Sequence, residues 1–419
     1  MTNPASHPDD TYHVKQVPPL ELLRVFLLFG LIGFGGPAAH LALMERELVN
    51  RRQWITRTHF LDLLAAVNLV PGPNSTEMML HIGLLAGGWR GMVLAGAGFI
   101  VPAVTFSVIL AVIYVAAGSV PAVQGVLIGV KPVVLALILS AGYRLAQKAL
   151  DNTQMRLLTV IAGMLVFVSS SSVMGLIGLT PILDFHELTL LLGVGFAYLI
   201  IRRPRAVVSM VIPFLPGIEL MGQITQKIAP TLMDIFWRFF VIGGTLFGSG
   251  YVLASYMQRS FVDGAGWLTP RQLLDVLAIG QATPGPVTST VAAAAYIMMG
   301  DPNNLWAGIP AAVLGTIGVF LPAFIIILLL GRLIPYLRRY PIMLEFLKGV
   351  NAGVIALLIG TFSDLAISTL RQSSGGLDWI ALIMTLAAFV GLEYLELGAV
   401  PLILVGAGLG IARMVLGAG

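Results

Sequence analysis

Polar residues along this chain gather in short clusters, and the stretches between them are apolar for the length of a membrane crossing. Residues 91–117, 125–141, 157–179, 308–330 and 380–392 are such runs, approaching or exceeding the ~20 residues that carry a helix through ~30 Å of hydrocarbon. The crossings must be helical, because a backbone group in lipid has no water to bond. The pattern predicts spanning helices over residues 20–44, 91–117 and 122–150, and again over 234–257, 305–333 and 342–370, with two shorter helices closing each set. After the first helix of each set comes an apolar stretch, 58–87 or 271–299, broken by Pro71-Gly72-Pro73 or Pro284-Gly285-Pro286. Such a stretch can cross once with a kink, or enter and return as two half-helices.

The two sets are related by an offset of 213 residues. Trp54 falls on Trp267, Thr56 on Thr269, Leu61 on Leu274, Asp62 on Asp275, Leu64 on Leu277, Ala65 on Ala278, and the first Pro-Gly-Pro on the second, nine identities in the twenty positions from 54 to 73. Phe34-Gly35 matches Phe247-Gly248 at the same offset, and further on the offset becomes 220, pairing Pro102-Ala103 with Pro322-Ala323. Trp, Asp and Pro-Gly-Pro in one register point to an internal duplication. The expected organisation is a flexible tail (1–19), a first transmembrane repeat (20–205), a linker (206–230) and a second repeat (231–419).

Loop charge decides how the broken stretches run. With both taken as re-entrant hairpins, the basic groups Arg46/Arg51/Arg52/Arg57, Arg144/Lys148/Arg156, Arg202/Arg203/Arg205 and Arg332/Arg338/Arg339/Lys348 all fall on one face, as the positive-inside rule requires. A full crossing would move Arg144, Lys148 and Arg156 to the other side. The predicted fold is therefore an all-α polytopic membrane protein of two inverted repeats, each with about five transmembrane helices and one Pro-Gly-Pro hairpin. The first repeat then starts outside and the second inside. Residues 206–222, with Pro213 and Pro216, leave room for a further crossing.

Composition supports the class: 57% of residues are hydrophobic and 11% charged, against about a quarter charged in soluble domains. The 47 glycines and 24 prolines suit close packing and kinks in membrane helices. Cysteine is absent, which excludes disulfides, thiolate metal sites and cysteine nucleophiles. No metal and no cofactor is expected.

The Pro-Gly-Pro turns carry the most chemistry. Each must expose unpaired backbone at membrane depth, tolerated only where it is buried in protein or lines a cavity. A half-helix follows each turn, opening with Asn74-Ser75-Thr76 or with Thr288-Ser289. Hydroxyl and amide side chains beside free N–H groups at the positive end of a helix make an anion site. The glycine runs around Gly35-Gly36 and Gly248-Ser249-Gly250 let the first helix of each repeat approach those tips and offer N–H groups of their own; otherwise they only pack helices. Lys131, opposite Asn351 in the other repeat, is either the fixed charge an oxyanion needs or the partner of a buried carboxylate such as Glu77 or Asp62. Glu77 and His81 share a helix face, as a proton carrier for coupling or as a local hydrogen-bonded pair. Asp62 and Asp275 read as structural partners. His40, Glu45 and Arg46 end the first helix near the cytoplasmic face, and Arg24 and Arg238 read as snorkelling anchors.

On the strings Phe34-Gly35-Gly36-Pro37-Ala38-Ala39-His40, Val70-Pro71-Gly72-Pro73-Asn74-Ser75-Thr76-Glu77 and Gly280-Gln281-Ala282-Thr283-Pro284-Gly285-Pro286, the chain resembles the chromate ion transporter family in its long, two-domain form. Ser249 stands where the family pattern has glycine, and the segment 287–293 is smaller and less aromatic than is usual there. The resemblance implies a multi-pass bacterial inner-membrane protein that exports chromate, with sulfate as a competing anion. Its site would be Gly35, Gly36, Pro71, Gly72, Asn74, Ser75, Thr76, Lys131, Gly248, Ser249, Pro284, Gly285, Thr288 and Ser289, with Glu77 and His81 for coupling. The membrane potential suffices to drive a dianion outward, with proton exchange as an addition. The expected partners are an inorganic oxyanion, chromate or sulfate, and the lipid bilayer; nucleic acid is not expected and a homodimer is left open. Rival readings are an uptake permease for sulfate or another oxyanion, a passive anion channel, and an intramembrane enzyme, the last opposed by the lack of HExxH, GxSxG or an acidic metal cluster.

Overall fold

The structure, a computed structural model, describes residues 14–67, 70–118, 120–176, 178–180, 187–203, 229–247, 250–331, 341–371 and 376–416. The predicted tail up to residue 13, the linker up to residue 228 with its candidate crossing 206–222, and Gly248 and Ser249 lie outside them. Residues 15–17, assigned to the tail, are docked: Lys15 N–H donates to Trp54 O (2.8 Å), Val17 N–H to Ala86 O (3.0 Å) and Gln16 Nε2 to Leu85 O (3.1 Å).

Among the described residues the chain is helical and has no strand. The first half comprises α1 (Pro19–Ile32), α2 (Gly36–Met44) running on as a π-turn (Glu45–Arg51), α3 (Arg57–Val67), α4 (Asn74–Ala117), α5 (Pro121–Ala149), α6 (Thr153–Ser169), α7 (Ser171–Leu176) and α8 (Glu187–Arg202). The second half comprises α9 (Leu232–Thr245), a 3-10 turn (Gly250–Val252) leading into α10 (Leu253–Met257) and a π-turn (Gln258–Gly264), α11 (Pro270–Ala282), a 3-10 turn (Val287–Ser289) leading into α12 (Thr290–Met299), α13 (Ile309–Leu330), α14 (Pro341–Leu370), α15 (Trp379–Glu393) and α16 (Ala399–Val415). The 213-residue offset carries α1 onto α9, the first π-turn onto the second, and the start of α3 onto that of α11. The extra seven residues behind the offset of 220 fall in the loop 300–308, where the first half has only the bend at Gly87 and Gly88. That bend is non-helical (Gly88 φ 64°) and folds the chain back, so that a Cβ at Gly83 would lie 2.7 Å from Ala95 Cβ and 2.8 Å from Gly91 O.

One expectation is corrected here. Residues 20–44 are not one continuous helix: α1 stops at Gly33, and Gly35 (φ +102°) and Gly36 (φ +74°) take left-handed conformations that only glycine adopts without strain. The chain then returns. Arg52, beyond the π-turn, pairs with Glu21 in the first turn of α1 at 2.9 Å, so α1 and α2 form a hairpin with both ends together. The second half repeats the arrangement, with Phe239 of α9 against Phe261 of the second π-turn (ring centroids 4.8 Å) and Arg238 4.8 Å over the Trp267 ring.

Contacts sort the helix ends into two layers. One holds Lys15, Glu21, Arg52, Trp54 and Ala86, with Gly331 against Leu84, Arg202 near Glu345 (3.9 Å) and Arg144 on Glu393 (2.8 Å). The other holds Arg259 on Ser169 (3.0 Å), Ser170 on Asp364, Arg413 on Asp378 (2.8 Å) and Gly300 beside Val115. The hairpins of the first half open toward the first layer and those of the second half toward the other.

The interior is apolar, with Val133, Val134 and Leu135 of α5 and Val354, Leu357 and Leu358 of α14 in one buried cluster. So is much of the outside, where Leu157, Val160, Ile161 and Met164 line an exposed face of α6. Trp89, Trp237, Trp306 and Trp379 are exposed near helix ends, the position of interfacial aromatic belts. Asn74–Ala117, Pro121–Ala149, Ile309–Leu329 and Ile342–Leu370 are long and apolar enough to cross a membrane.

Candidate functional site

The four chain breaks meet inside the molecule, and each hairpin of one half rests on a break of the other. Gly72 N–H, in the first Pro-Gly-Pro, donates to Leu246 O at the end of α9 (2.6 Å); Gly285 N–H, in the second, donates to Gly33 O at the end of α1 (2.8 Å). Gly33 and Leu246 are themselves 213 residues apart, so the two bonds are equivalents under the duplication. Both turn glycines have positive φ, +141° at Gly72 and +88° at Gly285, and a Cβ at Gly285 would sit 2.7 Å from Ala103 Cβ. Pro71 and Pro284 have no N–H to leave unpaired beside these bonds.

Helix N-termini gather around the crossing. Gly36, near the start of α2, lies beside Tyr251 Oη and Val287 Cγ2 of the other half, and Gly250 packs on Val287. The N-cap residues here, Gly35, Pro73 and Pro286, supply no side-chain cap to α2, to α4 or to the turn at Val287. At the ends of the molecule α6, α9, α11 and α15 carry side-chain caps from Asn152, Thr231, Thr269 and Asp378, while α1, α5, α13 and α16 carry none. The starts of α4 and of the turn at Val287 are buried, with Ser75, Thr76, Thr288 and Ser289 at 2% exposure or less, whereas the first turn of α2 is partly exposed at Pro37, Ala38 and Ala39. The first-turn N–H groups at the positive end of a helix suit an anion.

The hydroxyls divide between two environments. Ser75 Oγ is 3.2 Å from His40 Nδ1, and His40 Nε2 is 2.9 Å from Gly33 O. A carbonyl only accepts, so Nε2 carries a proton, and in that tautomer Nδ1 accepts from Ser75. Ser289 Oγ lies 3.3 Å from Ser107 Oγ, itself 3.4 Å from Thr283 Oγ1. Thr76 Oγ1 and Thr288 Oγ1 are buried without a partner among the described residues. Asn74 opens α4 next to them.

Lys131 is engaged elsewhere. Its Nζ lies 3.1 Å from Asp275 Oδ1, and Tyr114 Oη donates to Asp275 Oδ2 at 3.0 Å. The partner is thus Asp275 rather than Glu77 or Asp62, because α11 packs beside α5. The Glu77–His81 hydrogen-bonded pair is not made either: both Glu77 oxygens and His81 Nδ1 are buried without partners among the described residues, and His81 bonds the backbone of Gly331. His40, expected near the cytoplasmic face, is fully buried at the tips, since the broken first helix carries it back to the first break. Sequence reasoning missed Ser107, from the middle of α4 where no local motif marks it, and gave no role to Thr283, just before the second Pro-Gly-Pro, or to Tyr251, in the turn after the second glycine run.

A family profile described as Chromate transporter matches residues 20–199 and again residues 233–411. Among curated relatives, a chromate transport protein of Cupriavidus metallidurans is 28% identical over 367 residues, 86% of this chain and 84% of that protein. A chromate transport protein of Pseudomonas aeruginosa is 30% identical over 358 residues (83% and 82%), and a probable chromate transport protein of Synechococcus elongatus is 26% identical over 375 residues (87% and 89%). No solved structure matches the chain.

Proposed function

The chain belongs to the chromate transporter family, and from that premise we propose that it is a secondary transporter exporting chromate, a sulfate-like tetrahedral dianion, across a bacterial inner membrane. One observation carries the reading: helix starts drawn from both halves, at Gly36, Asn74 and Val287, none of them capped by the side chain of its N-cap residue, converge at the crossed Pro-Gly-Pro turns. The anion is bound there by the N–H groups around Gly36, Asn74 and Val287 and by the hydroxyls of Ser75, Thr76, Thr288 and Ser289, with Gly35, Pro71, Gly72, Pro284 and Gly285 shaping the backbone. Lys131 enters as the partner of Asp275 rather than as a ligand. Gly248 and Ser249, the counterparts of Gly35 and Gly36 at the 213-residue offset, belong to the proposed set through the repeat alone.

In the proposed topology the halves are inverted repeats. The hairpins α1–α2, α3 with the first part of α4, α9–α10 and α11–α12 are re-entrant, and the rest of α4, α5, α6, α8, α13, α14, α15 and α16 cross. Four hairpins and eight described crossings replace the expected two and ten. The layer with Lys15, Arg46, Arg51, Arg52, Arg57, Arg90, Arg144, Lys148, Arg156, Arg202, Arg203 and Lys348 is cytoplasmic by the positive-inside rule; Arg259, Arg271, Arg371 and Arg413 lie on the other. Residues 15–21 are then cytoplasmic and Thr231 external, the reverse of what a spanning first helix implied. Rocking of the halves about the crossed turns alternates access.

A dianion leaving a cell of negative interior gains about 4.6 kcal/mol per 100 mV, at about 2.3 kcal/mol per charge, enough to hold a gradient of roughly a thousandfold. The potential is therefore the main driving force, and Glu77 and His81 add proton coupling. Everted membrane vesicles energised by respiration test this: chromate accumulates inside, unlabelled sulfate suppresses it, and Asn74→Ala reduces it. Sulfate accumulation without chromate accumulation would instead favour the sulfate permease, and flux that never exceeds electrochemical equilibrium would favour a channel.

A further inference from the structure

Glu77 sits one turn into α4, at the mouth of the proposed anion site, and is fully buried. Its carboxyl folds back over the first Pro-Gly-Pro so closely that a Cβ at Gly72 would collide with Oε1. Neither oxygen has a hydrogen-bond partner among the described residues, although carboxylates almost never remain buried without one. His81 follows one turn later on the same face, 2% exposed, with Nδ1 unpartnered. His59 of α3, 6% exposed, interacts electrostatically with His81 and with Asp62, which is half-buried. Burial thus eases stepwise from Glu77 to Asp62, toward the layer that holds Arg52 and Arg57.

The other elements packed on α4 define what else faces this line. α2 presents His40, bonded to Ser75 and Gly33; α1 carries Glu21, paired with Arg52, and the exposed Arg24; α11 carries Asp275, paired with Lys131, and Arg271. α12 and α13 contain no charged residue. The second repeat has Thr290 and Ala294 in place of Glu77 and His81, so the ionisable line exists on one side only.

We propose that the Glu77 carboxylate is a tethered competitor of the transported oxyanion: ionised, it holds the mouth of α4, and the anion binds there only as Glu77 takes up a proton through Asp62, His59 and His81. Two like charges cannot share so buried a site, so the second to arrive forces protonation or displacement of the first. The step is a proton transfer alone: one proton from the cytoplasmic solution ends on a Glu77 oxygen, and no other bond changes. This rests on the anion site proposed above.

The test is calorimetric titration of the purified full-length protein with chromate at alkaline pH, and with sulfate, which holds no proton of its own near neutrality. Each titration is run in two buffers of different ionisation enthalpy, which reads the protons taken up. Wild type is expected to bind about one proton per anion, with Kd rising about tenfold per pH unit above the carboxyl's titration. Glu77→Gln should bind with no proton uptake and no pH dependence, and His81→Ala should keep the uptake but slow it in stopped-flow indicator traces. Binding without uptake in wild type, or uptake unchanged in Glu77→Gln, overturns this inference and leaves the site standing. Failure of either anion to bind wild type at any pH overturns the site and the inference together.

Discussion

Replacing Lys131 by methionine removes one side of the Lys131–Asp275 ion pair and keeps the length of the side chain. Asp275 is 3% exposed and would be left as a buried carboxylate holding only Tyr114 Oη. Breaking a buried pair on one side costs about 3–5 kcal/mol, and a retained hydrogen bond to a charged group is worth about 1.5–3 kcal/mol. The lower end, about 3 kcal/mol, is expected. Replacing both partners by apolar residues is often neutral or stabilising, so Lys131→Met with Asp275→Leu should recover most of the loss. SDS-titrated unfolding of the purified singles and the double closes the cycle, with an expected coupling of about 2 kcal/mol or more. Chromate flux then separates the roles: a double variant that is stable and active makes the pair structural, and one that is stable and inactive makes Lys131 a ligand. Single variants as stable as wild type, or effects that simply add, would refute the reasoning.

Other positions give independent expectations. Gly285→Ala forces a side chain into a left-handed conformation, about 1–2 kcal/mol, and against Ala103 Cβ at 2.7 Å, about 1–3 kcal/mol more; a lower melting temperature with lost transport is expected. Ser289→Ala should reduce chromate flux about tenfold or more, the value of a hydrogen bond to a charged group, with the melting temperature unchanged. Because the chain has no cysteine, single cysteines report topology directly: Arg57→Cys and Lys148→Cys should react with an impermeant maleimide only from the cytoplasm, Arg271→Cys and Trp306→Cys only from outside.

Much of the helical arrangement was legible because lipid imposes it: apolar runs marked α4, α5, α13 and α14, and Pro-Gly-Pro marked two of the interruptions. The first helices were not read correctly because glycine in a membrane helix usually packs rather than breaks, and nothing local at Gly33–Gly36 distinguishes the two uses. Only the return of Arg52 to Glu21 reveals the hairpin. Hidden pairing also misplaced His40 and gave Lys131 a buried carboxylate partner, Asp275, other than Glu77 or Asp62. His40 reaches the tips only once the break turns α2 back, and Asp275 meets Lys131 through packing between halves, which lies beyond any local pattern. The hydroxyls flanking the turns were found because their position at a helix start is a local property; Ser107, contributed from the middle of α4, has no such signature.

The central claim is potential-driven chromate movement through the crossed turns, and its most direct test is flux through the purified protein in proteoliposomes with an imposed potassium diffusion potential. Chromate should enter vesicles whose interior is positive, to a level that follows the potential and is lowered by external sulfate, and Asn74→Ala should reduce this in folded protein. Chromate flux indifferent to the sign of the potential, or undiminished in Asn74→Ala, would contradict the account.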